Sequence, residues 1–175
     1  MRDFELAFAY YKKGLKILET LEDKSGIDPI YDNYGVLHGM KKKWDSALFY
    51  HEKSLKIKKR LRDSVGIPFG YSHIANVYLN KNRFSIALKY LDSSLIIRKK
   101  RNDIYGMADS YLYYGDVYFQ KGDFQKASDY FEKGYIISVK NHFFPLWSKH
   151  MQCVYGVHIL FFMLYCSKIC LQATI

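Results

Sequence analysis

The chain has 175 residues, of which 49% are hydrophobic and 25% charged, with only three prolines and eleven glycines. This composition excludes a disordered or linker-dominated polypeptide and fits one domain or one short repeat array. The 27 Lys and Arg against 17 Asp and Glu give a net charge of +10, which favours acidic partners but does not bear on fold.

The opening residues, Met1-Arg2-Asp3-Phe4-Glu5, carry acids where an export signal would have a basic and then an apolar run, so a cytoplasmic location without a cleavable signal is expected. An offset of 40 residues places Ala7, Ala47, Ala87 and Ala127 in one column, Tyr10, Tyr50, Tyr90 and Tyr130 in another, and Ile17, Ile57, Ile97 and Ile137 in a third. Leu15, Leu55 and Leu95 align with Tyr135, and Asp23, Asp63 and Asp103 each precede a glycine (Gly26, Gly66, Gly106) by three residues. So many columns at one spacing mean an internal repeat. Residues 4–26 are a partial unit that begins inside its second helix, so its stacking face is expected to be truncated or to meet something missing.

Units over about 28–61, 68–101 and 108–141 follow. Each has a first helix, predicted from about Tyr31, from Tyr71 to Leu79 and from Tyr111, then a short turn (Lys81-Asn82-Arg83, Lys121-Gly122-Asp123) and a second helix. On the second helix of the first unit, Ala47, Leu48, His51, Leu55 and Lys58 recur at three- and four-residue steps, the spacing of one amphipathic face. Its basic end, with Lys41–Lys43, the 56–62 segment and Arg98–Arg101, is expected to be solvated and to complement helix dipoles, and the Asp-x-x-Gly glycine to break the chain there.

These columns resemble the tetratricopeptide repeat. In the third unit the family pattern falls on Tyr111, Tyr114, Gly115, Tyr118, Phe124, Ala127, Phe131 and Gly134. The second gives Tyr71, Ile74, Ala75, Tyr78, Phe84, Ala87, Leu91 and Ser94; the first gives Tyr31, Tyr34, Gly35, His38, Trp44, Ala47, His51 and Ser54. The resemblance implies an all-α, right-handed superhelical solenoid of about three and a half helical hairpins. The 40-residue period is six longer than the family's usual 34 and is similar to arrays in bacterial signalling proteins and kinesin light chains. The implied function is a protein- or peptide-binding scaffold, the sensing or interaction part of a bacterial signalling or transcription-regulatory protein.

In such arrays the first helix, helix A, lines the concave groove. Its positions outside the packing columns are Asp32, Val36 and Met40; Ser72, Asn76 and Asn80; and Leu112, Asp116 and Gln120. Of these, Asp32, Ser72, Asn76, Asn80, Asp116 and Gln120 are the expected peptide contacts, with amides suited to an extended backbone. Asn76 resembles the family's peptide-gripping amide, but the Lys and Arg partners of its carboxylate clamp are not at matching positions, which argues against chaperone tails as ligand.

After Asn141 the repeat fails, apart from an echo at Tyr155-Gly156; no acid follows Glu132, and Ile159–Cys166 is wholly apolar. Residues 141–175 form an atypical hydrophobic segment with three open readings: a closing helix, a membrane span over 151–167, or a non-native end. A membrane-tethered regulator is therefore the alternative function.

No enzyme constellation, Gly-rich phosphate loop or zinc-type Cys/His spacing occurs, so neither catalysis, cofactor nor metal is expected. The three cysteines, Cys153, Cys166 and Cys170, all lie in the tail and form no CxxC pair. His38 and His51 fall in columns otherwise filled by aromatic or aliphatic residues, which reads as packing. Most tyrosines likewise sit in packing columns, so nucleic acid is not favoured despite the basic charge.

Overall fold

A computed structural model describes residues 2–20 and 26–142. Among the described residues there are seven α-helices and no strand: α1 (Arg2–Thr20), α2 (Ile27–Met40), α3 (Trp44–Arg60), α4 (Gly66–Asn80), α5 (Phe84–Lys100), α6 (Ile104–Gln120) and α7 (Phe124–Lys140). The main contacts are α2 with α3, α4 with α5, and α6 with α7, followed by α3 with α4 and α5 with α6. The described residues therefore form a solenoid of three hairpins, with α1 packed against α2 as an isolated second helix. The segment 151–167 and all three cysteines lie outside the described residues. Among the described residues no helix is long and apolar enough to cross a membrane.

The repeat columns explain the packing. Ala47, Ala87 and Ala127 are at most 2% exposed, which lets the two helices of each hairpin close to backbone contact. The tyrosine column of the second helix inserts among aromatics of the first: Tyr50 stacks on Tyr34 at 5.0 Å, Tyr90 on Tyr78 at 5.7 Å, and Tyr130 on Tyr114 at 4.9 Å and Tyr118 at 5.4 Å. Offset ring pairs at these separations add to the area they bury. The tyrosine-rich composition is thus largely spent on hairpin closure. The equivalent Tyr10 on α1 is 66% exposed.

The 20-residue rhythm of the turns comes from the backbone. Lys42, Arg62, Asn82, Asn102, Gly122 and His142 all have positive φ, between 53° and 84°. At 62, for example, Arg62 N–H donates to Lys59 O and Asp63 N–H to Lys58 O, the paired bonds that close a helix C-terminus through a left-handed residue.

This corrects the expected role of the Asp-x-x-Gly glycines. Gly66 and Gly106 lie in the first turn of α4 and α6, which start at 66 and 104, ahead of the Tyr71 and Tyr111 expected from the pattern; α2 likewise starts at Ile27. The aspartate caps the helix: Asp103 Oδ1 accepts from Gly106 N–H at 2.8 Å, and Asp63 Oδ1 from Gly66 N–H at 2.9 Å. A Cβ on Gly106 would overlap the Asp103 carboxylate and lie 2.8 Å from Arg98 Cδ, so glycine is the residue that fits between the cap and the preceding helix.

Candidate functional site

Helix A presents two kinds of position. Asn76 and Asn80 on α4 and Gln120 on α6 are exposed, and Asp116 on α6 is half-buried. Asn80 Nδ2 donates to Asn76 O at 2.8 Å and to Asn76 Oδ1 at 3.2 Å, which joins the two amides into one unit. Helices α4 and α6 touch directly, so these four side chains belong to adjacent faces of neighbouring repeats. Val36 and Met40 continue the surface on α2 as exposed apolar residues.

Asp32 and Ser72, expected among the peptide contacts, are instead at most 9% exposed. The four-residue step drifts about 40° around a helix of 3.6 residues per turn, and the first member of each set turns inward against the hairpin partner and the next repeat. Ser72 Oγ pairs with Ser94 Oγ at 3.2 Å, and Ser94 donates to Pro68 O at 2.9 Å. Leu112, in the same column, is 2% exposed.

Asp32 sits at the centre of a buried polar junction between the first two hairpins. Its Oδ1 lies 3.1 Å from His51 Nδ1 on α3 and 3.4 Å from His73 Nδ1 on α4, while its Oδ2 accepts a short bond from the Lys58 ammonium. Lys58 also donates to Ser54 Oγ at 3.0 Å and lies 3.6 Å from Asp28. Burial acts to raise the Asp32 carboxyl, but hydrogen bonds from His51 and His73, with Lys58 beside them, hold it far below the usual carboxylate range. Burial likewise pushes the His51 imidazole down, against the pull of Asp32. It also raises Asp28, where Lys58 opposes it.

The second junction is built on Arg98, which is 0% exposed. Its Nη1 donates to Gly106 O at 2.6 Å, Ser110 Oγ at 2.7 Å and Asp109 Oδ2 at 3.2 Å, and the guanidinium lies 5.1 Å from the Phe69 ring centre. Lys58 and Arg98 are therefore not solvated, contrary to the expectation for the basic helix ends; Lys59, Arg60, Lys99, Lys100 and Arg101 are exposed as expected. The signal was present in Lys58, which falls on the same helical stripe as Ala47, His51 and Leu55. His73 was missed because nothing in its own segment marks it; its partners are 22 and 41 residues away in sequence.

Residues 69–136 match the family model for the tetratricopeptide repeat. This segment belongs to the tetratricopeptide repeat family. Tetratricopeptide repeats generally mediate protein–protein interaction on a non-catalytic scaffold. Among solved structures the chain is similar to the crystal structure of BtubC (BKLC) from P. vanneervenii, at 20% identity and a TM-score of 0.69, over 80% of the present chain and 58% of that one. The present chain thus spans little more than half of that protein, and at this identity the likeness concerns the fold alone. Comparison with curated proteins gives no match.

Proposed function

We propose that the array is a scaffold that binds a protein or peptide along its helix A face, in the concave groove, as the interaction part of a cytoplasmic regulatory protein of the bacterial signalling type. The observation that carries this reading is the polar row of Asn76, Asn80, Asp116 and Gln120 across two touching helices, of which Asn76, Asn80 and Gln120 are exposed. Carboxamides offer both donor and acceptor to a peptide backbone, and Val36 and Met40 on α2 supply apolar contact beside them. Asp32 and Ser72 are buried, so in this reading neither contacts the peptide.

The test is replacement of Asn76 and Asp116 together by Ala, with partner capture and thermal unfolding followed in parallel. Capture is expected to be abolished while the melting temperature holds. Capture at the parent level by the folded double variant rules out the groove assignment.

A further inference from the structure

We propose that Asp32, His51 and His73 form a binding site for one divalent transition-metal ion of the zinc class at the junction of the first two hairpins. The three side chains come from α2, α3 and α4, and one donor atom from each lies within 4.8 Å of the others. A tetrahedral zinc ion with bonds of about 2.0–2.1 Å holds its ligand atoms roughly 3.3–3.4 Å apart. Two of the three edges already match, Asp32 Oδ1 to His51 Nδ1 at 3.1 Å and to His73 Nδ1 at 3.4 Å. The third closes by a small movement of the His73 ring, whose side chain is 32% exposed.

The surroundings suit an ion. Metal ligands need a partner that fixes their orientation, and the Lys58 bond to Asp32 Oδ2, itself anchored on Ser54, leaves Oδ1 aimed at both rings. Asp28 offsets the ammonium charge, so the added dication does not meet an uncompensated cation. The exposed flank of His73 gives the ion a way in and leaves a fourth position for water.

Stacking alone does not require this set. In the next unit the same columns hold Ser72, Leu91 and Tyr113, and that junction closes around Arg98 without a histidine. A hydrogen-bonded cluster in which both rings donate from Nδ1 to Asp32 Oδ1 is the ion-free state; with the ion bound, each neutral ring carries its proton on Nε2 instead and offers the Nδ1 lone pair to the metal.

The experiment uses the tag-free full chain, chelator-treated and then dialysed, under a non-chelating reductant. Zinc chloride is titrated by calorimetry and thermal unfolding, and cobalt(II) by visible absorption. Expected are one equivalent of zinc bound, a melting temperature that rises until that equivalent is reached, and a cobalt spectrum of tetrahedral intensity without the thiolate charge-transfer band that tail cysteines would give. His73→Gln, at a half-exposed position, is expected to keep the metal-free melting temperature and to lose at least about tenfold in zinc affinity. Absence of one-to-one binding at micromolar zinc, a thiolate band, or unchanged affinity in His73→Gln overturns the site.

Discussion

Gly115 on α6 leaves little room beside Phe131 on α7, and a double substitution tests this fit. A Cβ on Gly115 would lie 2.5 Å from Cδ1 and Cε1 of the Phe131 ring and 2.9 Å from Cγ. Carbon contacts are favourable only from about 3.5 Å, so the ring must withdraw by about 1 Å, at an overpacking cost of about 1–3 kcal/mol. Alanine regains about 1 kcal/mol of helix propensity, so Gly115→Ala is expected to destabilise by about 0–2 kcal/mol. The second hairpin holds the compatible pair, Ala75 against Leu91, at 2% and 0% exposure. Phe131→Leu alone empties space beside Gly115 and costs about 1 kcal/mol, whereas in the double variant the new methyl occupies that space. Urea unfolding of the four proteins is expected to give a favourable coupling of about 1–3 kcal/mol, with the double variant close to the parent. Additivity within about 0.5 kcal/mol would show that ring and glycine do not constrain each other and would refute the packing argument.

Two further outcomes follow from the caps and the buried histidines. Asp103→Ala removes the acceptor of Gly106 N–H and is expected to cost about 0.5–2 kcal/mol; Gly106→Ala, which forces a methyl toward the same carboxylate and Arg98, is expected to cost at least as much, both read from urea midpoints at constant slope. Burial holds His51, and His38 likewise, below the ordinary imidazole value, so from about pH 6.5 downward the unfolded chain takes up protons that the folded chain refuses, and stability falls with pH. Asp32 adds a loss of the same sign only in stronger acid, below about pH 4 and toward its depressed value, whereas the raised Asp28 acts oppositely. His51→Leu, the residue of the Leu91 column, is expected to flatten the decline in urea midpoint between roughly pH 7.5 and 5.5, leaving the His38 share. An unchanged slope would show that the buried imidazole titrates as if it were exposed.

The hairpins were legible because their columns are residue types with one packing use: a small residue where helices touch, an aromatic where a hairpin closes. The joints were less so. The left-handed position falls on Lys42, Arg62, Asn82 and Asn102 rather than on a repeated glycine, while the repeated glycines, Gly66 and Gly106, give clearance beside a capping carboxylate. The site residues split for a related reason. Asn76, Asn80 and Gln120 are exposed as read, but Asp32 and Ser72 are buried, because a four-residue step along a helix is not a constant face. Lys58 and Arg98 show the opposite error: a basic helix end suggests water, and only the pairing of Lys58 with Asp28 and Asp32, on another helix, or of Arg98 with Ser110, shows it to be interior.

The columns of the buried junction lose charge along the array, two of them by the second unit and the third by the last. Position 58 holds Lys, then Arg98, then Ser138; position 32 holds Asp, then Ser72, then Leu112; position 51 holds His, then Leu91, then Phe131. Buried ion pairs contribute little net stability compared with apolar residues of like volume, so the charged first junction is not there as the cheapest way to stack two hairpins. Its position gives it another consequence. His73, Asn76 and Asn80 lie three and seven residues apart on α4, one stripe of the helix. An ion held by Asp32, His51 and His73 would tie α4 to the first hairpin within one turn of the amide row. If ion binding changes the affinity of the row for its ligand, the ligand must change the affinity for the ion by the same factor, so the variable columns of the repeat, rather than its constant ones, would set what this array responds to.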